Sequence, residues 1–89
     1  MPEVLRQSGF SIHIYYNDHE PRHVHVLRAG AEVKINLGTL ADEATDTAWE
    51  APTLAKVRAM GRADAKRALR IVYDHQVYLL AKWEELTDG

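Results

Sequence analysis

Apolar and polar positions alternate between residues 9 and 37. Phe10, Ile12, Ile14 and Tyr16 share one parity while Ser11, His13 and Tyr15 hold the other, the pattern of a strand with one buried face. Asn17-Asp18-His19-Glu20-Pro21-Arg22 then interrupts it with residues that favour a turn, and Pro21 has no N–H for a ladder. A second strand is expected over 23–28. Ala29-Gly30 offers a two-residue hairpin loop, after which the alternation resumes over 31–37. With that loop, Arg28 faces Ala31, Leu27 faces Glu32, Val26 faces Val33, His25 faces Lys34, Val24 faces Ile35 and His23 faces Asn36. This register gathers Val24, Val26, Val33 and Ile35 on one face and leaves the other polar.

From Gly38 to Pro52 the period is lost, and Asp42, Glu43, Asp46 and Glu50 sit among small residues, as in an acidic connection. Thr53 to Met60 alternates again, with Leu54, Lys56, Arg58 and Met60 on one parity, and is expected to be a third or fourth strand. After Gly61 the spacing changes to three and four. Ala65, Leu69, Val72, Gln76, Leu79, Leu80 and Trp83 make one stripe, opposite Arg67, Arg70, Asp74 and Glu85, which predicts a single helix over 62–86. Such a helix is about 36 Å long, against about 23 Å for a seven-residue strand, so it should overhang its sheet. Ile71 and Tyr78 are expected on its solvent side, which suggests a homodimer through the long helix. The expected fold is α+β: one domain over 1–89, a small antiparallel sheet of three to four strands packed against one long C-terminal helix.

Composition narrows the function more than the fold. At 89 residues, 46% hydrophobic and 27% charged, the chain has a globular balance. Eleven Lys and Arg against thirteen Asp and Glu give a net charge of −2, so attraction to nucleic acid or membrane must be local if present. One local excess exists: residues 56–70 carry Lys56, Arg58, Arg62, Lys66, Arg67 and Arg70 against Asp64. The absence of cysteine excludes disulfides, thiol nucleophiles and thiolate zinc sites. No stretch reads as a signal peptide or a membrane span, and a cytoplasmic location is expected. Phosphate-loop, Ser-His-Asp and dinucleotide patterns are missing.

The chemistry concentrates in His19, His23 and His25, three of the five histidines within seven residues. Since Val24 and Val26 belong to the core face, His23 and His25 point together to the outer one, with His13 and Tyr15 beside them. In one reading this face binds and cleaves RNA. His23, His25, His13 and Tyr15 are then the catalytic candidates, and Lys34, Lys56 and Arg58 hold the substrate's phosphates. In a second reading His13, His23 and His25, with His19 or Asp18, bind a divalent metal and leave a position open. In a third, Asp18 and His19 close the turn through hydrogen bonds and Pro21 fixes its exit. Both His23 and His25 are expected to be exposed, so that replacing them with Asn changes stability by less than about 1 kcal/mol. His75, at the edge of the helical stripe, is assigned to packing, as are Trp49 and Trp83.

The segment Asp18-His19-Glu20-Pro21-Arg22-His23-Val24-His25 resembles the Asp-His-x-Pro-x-His-x-His signature of an uncharacterised bacterial domain family. The resemblance extends to the Met1-Pro2 start, Gly30, the stretch from Met60-Gly61 through His75, and Trp83-Glu84, and departs from the usual pattern at Arg22 and Val24. It implies a strand, a hairpin and a C-terminal helix, and a place in a two-gene pair of toxin-antitoxin type, with a cognate protein from the adjacent gene as partner. It implies no reaction. A metal-binding or protein-interaction module without catalysis is the alternative.

Overall fold

The computed structural model describes residues 3–15 and 18–87. Five strands follow one another in an antiparallel meander: β1 (Glu3–Gln7), β2 (Phe10–His13), β3 (His23–Arg28), β4 (Ala31–Asn36) and β5 (Thr53–Arg58). Two α-helices follow among the described residues, α1 (Arg62–Asp74) and α2 (Gln76–Thr87). The class is α+β, with more strands than the three to four expected and two helices in place of one.

The central hairpin adopts the register that its valines demand, from Arg28 opposite Ala31 to His23 opposite Asn36. Ala29 and Gly30 take φ of 49° and 82°, the left-handed pair that lets a two-residue loop follow the twist of its strands. On the other flank Ile12 pairs with Val26 and His13 with His25. Phe10, Ile12, Ile14, Val24, Val26, Val33 and Ile35 are wholly buried against Ala68, Val72, Leu79 and Trp83 of the helices. Tyr16, expected in the same core, lies outside the described residues.

β1 is the strand that alternation does not reveal. Its register shifts between Glu3 and Leu5, so the adjacent apolar pair Val4-Leu5 breaks the period. Ser8 and Gly9, at φ of 54° and 82°, turn it into β2. The acidic connection is also more ordered than its composition suggests. Thr39 and Glu50 exchange backbone hydrogen bonds at 3.1 and 2.9 Å, Asp42 and Thr47 at 2.9 Å each way, and Asp42 caps a single 3₁₀ turn at Glu43–Thr45.

The single helix expected over 62–86 breaks at His75, for a reason written in its side chain. His75 Nδ1 donates to the Ile71 carbonyl at 2.9 Å, the oxygen that a continuous helix reserves for the His75 backbone N–H. That N–H turns instead to Val72 O at 3.1 Å. Ile71 lies in the core, 5% exposed, on the buried stripe of α1 with Ala65, Ala68 and Val72, which corrects its expected place on the solvent side. Tyr78 stays outside but donates its hydroxyl to Val4 O of β1 at 2.8 Å. Among the described residues no helix is long and apolar enough to cross a membrane.

Candidate metal centre

The pleat places Ser11, His13, His25, Lys34 and Glu32 on the face turned away from the helices, and β5 adds Lys56 and Arg58 opposite Lys34 and Glu32. The basic run over 56–70 is thereby divided. Lys56 and Arg58 join the histidine face, whereas Arg62, Lys66, Arg67 and Arg70 lie on α1, across the sheet, where Arg67 pairs with Asp64 and Arg70 with Asp74.

At the entrance to β3 the chain folds back so that Asp18 returns to the two histidines. Asp18 N donates to Tyr15 O and Tyr15 N donates to Asp18 Oδ2, both at 3.1 Å. The end of α2 closes over this turn: Arg22 reaches Glu84 at 3.4 Å and the Trp83 ring centre stands 5.3 Å from that of His23. His23 is only 5% exposed. The expectation of two exposed histidines is corrected here, because the helix end covers the first residue of the strand. Asn at position 23 forfeits packing on Trp83 and so costs more than an exposed substitution.

Each imidazole is held by its Nδ1. His23 Nδ1 lies 2.8 Å from Pro21 O, and His25 Nδ1 lies 2.9 Å from Glu32 Oε2. A carbonyl and a carboxylate only accept, so each Nδ1 carries the proton and each Nε2 presents its lone pair when the ring is neutral. Both Nε2 atoms face Asp18 Oδ2, at 3.4 Å for His23 and 3.5 Å for His25. These separations exceed the roughly 2.7–2.9 Å of a charge-assisted hydrogen bond, and His25 Nε2 is buried with no hydrogen-bond partner among the described residues. They fit a different geometry. Ligands about 2.1 Å from a tetrahedral ion stand about 3.4 Å from one another, against about 3.0 Å for octahedral neighbours. One ligand atom from each of Asp18, His23 and His25 lies within 4.8 Å of the other two.

The remaining candidates surround this cluster without joining it. The Tyr15 ring centre is 4.5 Å from that of His25, and burial, reinforced by the Glu32 and Asp18 carboxylates, raises the phenol above its usual 10.0, so it stays protonated. His13 belongs to another network. Ser11 Oγ donates to Glu3 Oε2, and His13 Nε2 donates to Ser11 Oγ at 2.6 Å, which leaves His13 Nδ1 buried and without a hydrogen-bond partner among the described residues. His19 is exposed and outside the ligand group. Arg58 is occupied by Glu32 Oε1 at 3.0 Å. Lys34 and Lys56 make no ion pair among the described residues.

Glu32, unremarked in the alternation, has the orienting role at His25. The register carried the signal: Glu32 is the diagonal neighbour of His25 across the hairpin, within reach of a long side chain.

No curated protein and no solved structure matches the chain. A family model described as a domain of unknown function, DUF4160, matches residues 9–84, which run from the β1–β2 turn through the histidine cluster into α2. The chain belongs to the DUF4160 domain family.

Proposed function

We propose that this protein is a divalent-metal domain in which Asp18, His23 and His25 are the ligands and zinc is the ion of best fit. One observation carries the reading: two imidazole Nε2 atoms converge on one carboxylate oxygen at 3.4 and 3.5 Å, with both opposite ring nitrogens tied to acceptors. Histidine ligands of metal sites typically donate their second ring N–H in this way, which fixes ring orientation and raises basicity. A His-His-Asp set leaves a fourth position for water or for a substrate atom, as catalytic rather than structural zinc sites do. A zinc ion held there would supply Lewis-acid chemistry and could activate a water near neutral pH, and the Tyr15 ring, 4.5 Å from that of His25 between centres, would wall that position. The burial of His23 and the partial cover over His25 favour this reading over one in which they act directly on RNA as an acid–base pair. A cytoplasmic role in a toxin-antitoxin-like pair, with RNA or a cognate protein as partner, is carried with the proposal on the strength of the signature at Asp18 to His25.

Calorimetric titration with zinc chloride tests it. The wild type should take up one zinc per chain and melt at higher temperature when loaded, because an ion bound only to the folded state stabilises it. Uptake should weaken at acid pH, where protons compete for the ligands. Asp18→Asn and His25→Asn should lose both responses while keeping the far-ultraviolet circular dichroism of the fold. Absence of zinc uptake by the wild type, or uptake unaltered in both variants, would overturn the reading.

A further inference from the structure

A row of side chains crosses the sheet at the level of the proposed centre. By register it runs Glu3, His13, His25, Lys34, Lys56, one residue from each strand. Lys34 is therefore the immediate neighbour of His25, and Lys56 of Lys34. Like charges directly opposite one another destabilise a sheet, and a cation held by His25 would add to the repulsion. Next to them the same strands resolve the equivalent problem, since Glu32 faces Arg58 and binds it. Lys34 and Lys56 have no such partner among the described residues. Lys34 is half-buried and Lys56 exposed, so both side chains are open to a ligand on this face.

We infer that Lys34 and Lys56 form an anion subsite of the metal centre and that the group it takes is a terminal phosphomonoester. The inference rests on the metal reading and extends it to a substrate class. Three positive centres, the ion and two ammonium groups, call for three acceptor oxygens on one atom. A phosphomonoester presents three terminal oxygens and close to two negative charges, a phosphodiester presents two oxygens and one charge, and a carboxylate presents two oxygens and one charge. Only the monoester satisfies all three centres at once. Lysine suits this task as a mobile point charge, and phosphate is among its usual ligands.

Calorimetry on the zinc-loaded protein separates the possibilities, with phenyl phosphate, dimethyl phosphate and benzoate as probes. The wild type should bind phenyl phosphate at least tenfold more tightly than dimethyl phosphate or benzoate. Lys34→Met/Lys56→Met should lose at least tenfold in phenyl phosphate affinity yet hold zinc as tightly as the wild type or more so, because two repelling charges are gone. Lys34→Arg/Lys56→Arg should retain phenyl phosphate, which guards against a fold defect in the methionine variant. Undiminished phenyl phosphate binding by the methionine variant, equal binding of benzoate, or no phenyl phosphate binding by the loaded wild type would each overturn the subsite. Failure of the wild type to take up zinc is read in a separate titration and would remove the metal reading, and the subsite with it.

Discussion

His25 donates its Nδ1 proton to Glu32 Oε2 at 2.9 Å, and Arg58 holds the other oxygen of the same carboxylate at 3.0 Å. The relationship decides which nitrogen of His25 is free. With Nδ1 committed, the lone pair sits on Nε2, aimed at Asp18, and the ring cannot turn without breaking a charge-assisted bond.

Removing that support should therefore weaken the proposed metal centre without touching a proposed ligand. Glu32→Ala is expected to lower zinc affinity by about 10–100-fold, the usual cost of losing a partner that orients a metal-bound histidine. Glu32→Gln, whose amide oxygen can still accept from Nδ1, should recover much of the loss. Competition against a chelator of known zinc affinity measures both, and wild-type affinity in Glu32→Ala would show that His25 is oriented by something else.

The edge of the sheet carries a separate acid response. Glu3 accepts from Ser11 Oγ and pairs with Arg6 at 2.7 Å, and these two partners, the hydroxyl first, hold its carboxyl below the ordinary 4.5. A carboxyl with a depressed folded pKa favours the native state at pH above its unfolded value. That contribution is lost as pH falls from the unfolded value through the lower folded pKa, because over that window the unfolded chain binds a proton that the native state does not. Carbon-detected NMR titration should find the Glu3 midpoint below 4.5 in the wild type and closer to 4.5 in Ser11→Ala. An identical midpoint in the two proteins would deny the hydroxyl its role.

The connection between β4 and β5 hangs on Gln76. This buried amide donates to Leu37 O and Glu50 O, both at 2.8 Å, and accepts from Trp49 Nε1 at 2.9 Å. Gln76→Leu keeps the volume but strands these partners, and should destabilise by about 1–3 kcal/mol. Gly38→Ala attacks the same connection through the backbone. Gly38 has φ of +74°, and a Cβ there would stand 2.1 Å from Glu50 O, so a loss of more than about 1 kcal/mol is expected. Urea denaturation reads both. Stability equal to wild type in Gln76→Leu would mean that water replaces the amide at no cost.

The central hairpin was legible in the chain because a period of two leaves no freedom: once Val24, Val26, Val33 and Ile35 must share a core, His23 and His25 must share the other face, and Ala29-Gly30 fixes which residues pair. The same rule put His13 on the face of His25, whereas only the pairing of β5 with β4 brought Lys56 beside Lys34. β1 was not legible, since a bulge at Val4-Leu5 erases the alternation on an edge strand that buries little. Nor was the helix break legible, because His75 fits an apolar stripe equally well whether its ring packs sideways or takes the Ile71 carbonyl. The proposed ligand set was open between His13, His19 and Asp18 for a similar reason. Parity settles faces, but a turn has no period, and only the folded chain brings Asp18 back to His23 and His25 while Ser11 draws His13 away and His19 stays in solvent. Local alternation determined which side chains could meet, whereas the long-range closure of α2 and the 18–22 turn decided which of them did.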